Sequence, residues 1–290
     1  MEPANYACLS DVNQREDNED SHLAVEFTPF GADTPLLLLC VADGMGGYEH
    51  GAEVSREVLR RLCVSLFQQL TVEPALNKSG SLDGGAFGPV HLATALHEAA
   101  ITADGYVRRL VEANGWHRAG ATLVVATVYK DEMVGLNLGD SPLFHYELAS
   151  HTLTQLTEDH TVAQALARGG LITNEMARYH EASAELEFYV GGGAMPQPSP
   201  VHYCKLVPGD LLLLCTDGVS KLLGAEKMSD VLRRMECVLE ATHGLANAAE
   251  ALREEALAAG ESDNQTLILW RFAAPSASAS QPAEAEAERE

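Results

Sequence analysis

The chain has 290 residues, 46% of them hydrophobic, enough to bury one sizeable core. Its 42 acidic against 19 basic residues give a formal net charge of -23, and no basic patch interrupts that field, which argues against nucleic acid or an anionic membrane as partner. Six cysteines lie far apart with no C-x-x-C pair, against a zinc ribbon or a dithiol redox centre, and no apolar run approaches the roughly 20 residues that cross a bilayer.

Cysteines inside apolar runs, such as Cys40, read as small buried hydrophobes in a reducing compartment. Residues 1–10 lack the basic and apolar regions of a secretory leader, so the expected location is the cytoplasm. The acidity itself is read mainly as a solubility feature, with a share assigned to binding divalent cations.

Residues 36–42 form a short apolar run without strict alternation, the pattern of a strand covered on both faces. Helical spacing follows in Val58, Leu59, Leu62, Cys63, Leu66 and Leu70. Residues 77–89, rich in Gly and Ser, read as a long surface loop, after which Leu92, Leu96, Ala99, Ala103, Val107, Leu110 and Val111 mark a second helix. Residues 122–129 and 133–138, separated by a short polar turn, read as an antiparallel hairpin. Further strands are expected at 210–216 and 266–272, with a helix at 245–258 between them. From Ala273 to Glu290 the composition collapses into Ala, Ser, Pro and Glu, with almost nothing to bury. The expectation is one folded domain over residues 1–272 and a disordered tail over 273–290. Strands joined by hairpins, with helices grouped between them, point to an α+β sandwich of layered sheets enclosed by helices.

Two of these strands end alike, at Asp43-Gly44 and Asp217-Gly218. A carboxylate there is held by a rigid element at the edge of the core, and the glycine lets the backbone turn close to a ligand. A single Asp-Gly is an ordinary turn. Two of them, with more acids at Asn18-Glu19-Asp20, Gly139-Asp140-Ser141 and Ser262-Asp263-Asn264, favour a metal site. Carboxylates gathered in a partly dry site repel, and a cation relieves them. Magnesium and manganese suit an all-oxygen set; zinc is disfavoured because none of the eleven histidines forms an H-x-x-x-H pair. Two ions sharing a carboxylate can lower the pKa of a water held between them and aim it at an electrophile. Arg15, just before the first acidic triplet, reads from spacing alone as a surface ion pair, although its planar fork also suits a phosphate dianion.

Seven pieces of the chain, in order, resemble the metal-dependent serine/threonine protein phosphatases of type 2C, with a bacterial look. They are Arg15 through Asn18-Glu19-Asp20, Val41-Ala42-Asp43-Gly44-Met45-Gly46-Gly47, Gly120-Ala121-Thr122 and Leu138-Gly139-Asp140-Ser141. Leu156-Thr157-Glu158-Asp159-His160-Thr161, Cys215-Thr216-Asp217-Gly218 and Asp263-Asn264-Gln265-Thr266 complete the set. The resemblance implies two central antiparallel β-sheets flanked by α-helices, in α-β-β-α layers. It implies two Mg2+ or Mn2+ ions, with Asp43 bridging them, the Gly44 carbonyl on one, and Asp217 and Asp263 completing the other. Glu19 and Asp20 would act through ion-bound waters, Asp140 with Asp217 would match a third, weaker ion, and Arg15 would hold the substrate phosphate. The implied reaction is direct attack by an ion-bridging hydroxide on phosphoserine or phosphothreonine of a protein substrate, reversing a Ser/Thr kinase, by a protein expected to be a monomer.

The sequence departs from the family pattern in three places. Met45 stands where many eukaryotic members have a His that protonates the leaving oxygen, as it commonly does in bacterial relatives; His160 is read as a flap-loop residue without a catalytic role. Pro142 replaces the usual Arg after Gly-Asp-Ser. Residues 179–200 lack the family's His-Pro and Arg-bearing stretch near the rim of the site, which bears on substrate choice. The competing readings are a non-catalytic phosphoprotein-binding module, opposed by the presence of Asp43, Asp217 and Asp263 together, and a hydrolase of small phosphate esters, for which no nucleotide-gripping glycine loop is found.

Overall fold

The computed structural model describes residues 5–45, 50–71, 87–116, 119–197 and 199–273. The chain forms β1 (Tyr6–Asp11), β2 (Asp20–Phe27), β3 (Leu36–Met45), α1 (Gly51–Thr71), α2 (Pro89–Asn114), β4 (Gly120–Ala121), β5 (Leu123–Tyr129), β6 (Glu132–Leu138), β7 (Leu143–Glu147) and β8 (Thr152–Gln155). It continues through α3 (Val162–Arg168), α4 (Asn174–Arg178), β9 (Val201–Lys205), β10 (Leu211–Cys215), α5 (Asp217–Ser220), α6 (Gly224–Met235), α7 (Gly244–Ala258) and β11 (Gln265–Arg271). The expected loop at 77–89 lies outside the described residues as far as 86, and its last residue, Pro89, opens α2. The tail from 274 onward, and Gly46 and Gly47 of the glycine motif, also lie outside them.

Two antiparallel sheets face each other. One runs β1-β11-β10-β7-β8, the other β2-β3-β5-β6-β9, with β4 added beside β3. The side chains of β3 divide between the two sides of the sheet: Leu36, Leu38, Cys40 and Ala42 pack under α1 and α2, while Leu39 and Val41 face the other sheet. In β10, Leu211, Leu213 and Cys215 pack under α6 and α7, and Leu212 and Leu214 point inward. A central strand covered on both faces has no reason to alternate, which is why these segments are almost pure Leu. The expected layering of helix, sheet, sheet and helix is therefore present, and the hairpin of β5 and β6 pairs Tyr129 with Glu132 at its turn.

The strands that periodicity did not mark include β1, β7, β8 and β9. Three of these are sheet edges, and β1 alternates exposed with half-buried positions, so no apolar run marks it. Helix ends follow local chemistry. Pro89 opens α2 and Gly115 closes it in the left-handed region at φ 66, while the hydroxyls of Thr161 and Thr173 accept the Gln164 and Met176 amides to cap α3 and α4. Among the described residues no helix is long and apolar enough to cross a membrane.

The inter-sheet layer should carry much of the stability. Leu214→Ala, which leaves a void between two sheets unable to close independently, is expected to lower the unfolding free energy by about 2–5 kcal/mol. Urea titration followed by circular dichroism measures this, and an unchanged midpoint would contradict a shared inter-sheet core.

Candidate active site

The strand register brings the acids to one end of the sandwich. Asp20 opens β2 directly opposite Asp43, near the end of β3. Asp217 follows β10, Asp263 precedes β11, and Asp140 follows β6 through Gly139, whose φ of 105 turns the chain sharply. Residues far apart in sequence thus become neighbours because each sits at the same end of its strand.

Asp43 is clamped through its backbone. Its amide donates to Thr122 Oγ1 at 2.9 Å and its carbonyl accepts the Thr122 amide at 2.8 Å. Thr122 Oγ1 lies 2.6 Å from Ser141 Oγ, which ties the Asp43 strand to the Asp140 loop. Gly44 donates its amide to the Glu19 carbonyl at 3.1 Å, and a Cβ there would stand 2.2 Å from the Gly51 carbonyl oxygen. The second glycine is equally constrained, since a Cβ on Gly218 would meet the Asn264 carbonyl oxygen at 2.0 Å. Both Asp-Gly pairs are therefore close backbone crossings and not ordinary exposed turns.

Neutral side chains complete the frame. Thr216 donates its hydroxyl to Asp20 Oδ2 at 2.9 Å, joining the two sheets beneath the acids. Asn264 accepts the Glu19 amide at 2.9 Å and donates to the Val12 and Asp17 carbonyls, pinning the Arg15 loop to the start of β11. His160 is buried, accepts the Gly139 amide on Nδ1 at 3.3 Å and is pushed down to about 4 by burial, so it is a neutral support for the Asp140 turn.

The charges interact as one cluster. Burial, and then Asp20, Asp217, Asp140 and Asp263 in turn, hold the Asp43 carboxyl well above the usual range. Burial first, with Asp217 and Asp263 adding to it against the Thr266 and Thr216 hydrogen bonds, raises Asp20 to about 7. Burial with Asp217 and Asp159 raises Asp140 to about 8, and burial raises Glu19. Asp159, likewise raised to about 6, is part of a family-like piece of the sequence but is given no role there. A cavity of about 420 Å³ opens here, lined by Asp140, Asp159 and Asp217 together with Arg178 and Lys221.

Two cations already answer part of this repulsion. Arg15 Nη2 donates to Asp263 Oδ2 at 2.8 Å, and Lys221 Nζ to Asp217 Oδ2 at 2.8 Å. Arg15 is thus placed beside the acids and paired with one of them. Lys221 carried no motif; its spacing of four residues from Asp217 across α5 was the available signal.

The donors suit hard divalent ions, being all oxygen, and Asp20 keeps one buried oxygen, Oδ1, without a hydrogen-bond partner. Yet among the described residues no three carboxylate, histidine or cysteine side chains stand close enough to close on one ion. The donor chemistry therefore carries the fit more than the spacing does. The residues that sequence analysis assigned to the site, Arg15, Glu19, Asp20, Asp43, Gly44, Asp140, Asp217 and Asp263, are gathered at this end but not drawn into a closed cage.

The departures are placed as follows. Met45 closes β3, and Pro142 donates nothing but accepts the Cys215 amide on its carbonyl at 3.3 Å. The unusual segment after residue 179 divides. Ser183 still lines the cavity, whereas Gly191 and Gly193 donate their amides to Asp104 of α2 at 2.8 and 3.1 Å.

Known proteins resemble the chain in sequence and fold. The family model described as protein phosphatase 2C matches residues 12–255. The serine/threonine phosphatase stp of Listeria welshimeri is 30% identical over 232 residues, which are 80% of this chain and 83% of that protein. The crystal structure of the Mycobacterium tuberculosis serine/threonine phosphatase PstP/Ppp superposes with a TM-score of 0.71 at 27% identity, covering 92% of this chain and 98% of that one. The catalytic domain of PstP in complex with 2 manganese ions has a TM-score of 0.65 at 24% identity, over 92% and 97% of the two chains, a likeness of fold. With a family model spanning most of its length and the same pair of sheets, the chain belongs to the protein phosphatase 2C family.

Proposed function

We propose that this chain is a magnesium- or manganese-dependent phosphatase that hydrolyses phosphoserine and phosphothreonine in other proteins, opposing a Ser/Thr kinase. The observation that carries the reading is the interacting set of Asp20, Asp43, Asp140, Asp217 and Asp263, gathered at one end of the sandwich. Relatives named as serine/threonine phosphatases, and a manganese-bound one of the same fold, support it. Acting as a monomer in the cytoplasm belongs to the same proposal.

Asp43, Asp217 and Asp263 would hold two ions, with the Gly44 carbonyl contributing to one of them, and Asp140 with Asp217 would receive a weaker third. Bound there, the ions supply an acidified water and positive charge against the charge developing on the phosphoryl oxygens. The chain's own residues do the rest. Thr216 and Thr122 hold Asp20 and Asp43 by hydrogen bonds that cost nothing to reorganise during reaction. Glu19 and Asp20 would act by orienting waters held in the site. Arg15 is exposed and hydrogen-bonded to Asp263 through Nη2, and among the described residues its other N–H groups are left for two phosphate oxygens. Met45 has no proton to give, so the leaving seryl or threonyl oxygen takes its proton from water in the site.

Three measurements test this. Hydrolysis of p-nitrophenyl phosphate should require manganese or magnesium and stop in excess chelator; full activity in chelator overturns the proposal. Asp43→Asn should lower kcat by roughly 10²–10³-fold, the scale for removing one preorganised charge-stabilising group. Arg15→Ala should raise KM about tenfold with a smaller change in kcat, and an unchanged KM would remove the phosphate role.

Stability of the metal-free protein should also report the cluster. Asp20 and Asp140 have folded-state values raised to about 7 and about 8 from 3.8. The folded state therefore binds protons more tightly than the unfolded state, and this contribution, full below about pH 4, is lost as pH rises through 8. Melting in chelator should fall over that window, and saturating manganese should reverse the fall; a flat profile in both conditions would contradict the charge cluster.

A further inference from the structure

Away from the acids, at one edge of the sandwich, a thiol, an imidazole and a carboxylate stand in line. Cys204 Sγ on β9 lies 3.4 Å from His145 Nδ1 on β7, and His145 Nε2 lies 2.9 Å from Asp210 Oδ2. The contact crosses from one sheet to the other, because β9 edges the second sheet while β7 lies in the first. Asp210 is buried and fixed in turn, accepting the Val207 amide on Oδ2 at 2.9 Å and the Leu148 amide on Oδ1 at 3.3 Å.

These partners set the imidazole's tautomer. A carboxylate held by two amides accepts, so the hydrogen on His145 Nε2 points to Asp210, and in the neutral ring Nδ1 is left bare. The bare nitrogen faces Cys204. The thiol has one other acceptor in reach, the Lys205 carbonyl, at the longer distance of 3.6 Å. The order of roles is that of an activated nucleophile, with a base beside the sulfur and a third group orienting the base. The proposed phosphatase chemistry does not use this arrangement.

We infer that Cys204, with His145 as base and Asp210 as its positioning residue, is a modification site for peroxides. The proton passes from Sγ to Nδ1, leaving a thiolate beside an imidazolium that Asp210 stabilises. The thiolate attacks one peroxide oxygen and the O–O bond breaks. Sulfur keeps that oxygen as a sulfenic acid, and the departing hydroxide takes the imidazolium proton and leaves as water, so the thiol is oxidised as the peroxide is reduced. Burial, with Asp210 and Glu147 nearby, pushes the resting Cys204 thiol up, so its reactivity depends on handing the proton to His145 and not on a standing thiolate.

The chain contains its own control. Cys63, on α1, is also half-buried, and burial raises its thiol too, but among the described residues it makes no hydrogen bond to an imidazole. Cys8 and Cys237 are exposed, and Cys40 and Cys215 are buried. The full-length protein is exposed to hydrogen peroxide in the presence of dimedone, which traps sulfenic acid, and each cysteine is followed by peptide mass spectrometry. Cys204 should be trapped at least about tenfold faster than Cys63, and His145→Gln should slow Cys204 by about fivefold or more while leaving Cys8 and Cys237 unchanged. Asp210→Asn should slow it in the same direction. A Cys204 rate no higher than that of Cys63 in the unsubstituted protein overturns the inference without recourse to any variant. So does a Cys204 rate that is unchanged or raised in His145→Gln.

Discussion

The structure turns on the repulsion among carboxylates that cannot move away from one another. Asp20 and Asp43 are opposed across a strand pair, and Asp43 is held by Thr122 through both backbone groups. The surrounding chain offers hydroxyls and amides, but it also leaves Asp20 Oδ1 buried with no partner. An arrangement of this kind costs stability unless a cation is present, and a rigid frame is what allows the cost to persist.

That frame is the double sheet. Leu39, Val41, Leu212 and Leu214 meet between the sheets, and the helices cover the outer faces through Leu36, Leu38, Leu211 and Leu213. Because β3 and β10 are buried on both sides, they give rigid anchors to Asp43-Gly44, near the end of β3, and to Asp217-Gly218, just after β10. Thr216, which donates to an aspartate 196 residues away, links the two sheets where their charges meet. The glycines matter for approach and not for flexibility, since a methyl group at Gly44 or Gly218 would collide with a backbone carbonyl oxygen.

Arg15 and Lys221 show how local cations respond to this field. Each is paired with an acid that the family pattern assigns to metal, and each pair is partly exposed, where an ion pair contributes little stability of its own. The opposite edge of the protein uses related physics to another end, since Asp210 and His145 form a fixed pair that leaves one nitrogen facing a sulfur.

Much of the fold was legible in the sequence because it rests on local pattern. Doubly covered strands at 36–42 and 122–129, helices through Leu62 and Leu96, and acids placed immediately after apolar runs depend on neighbours a few positions away. Edge strands such as β1 and β9, with one wet face, left weaker marks. What tertiary structure alone decided is which distant side chains touch: Asp263 with Arg15, Thr216 with Asp20, Asn264 with the Arg15 loop, and Cys204 with His145. Those contacts follow from strand order and register, which bring together residues that no pattern along the chain relates.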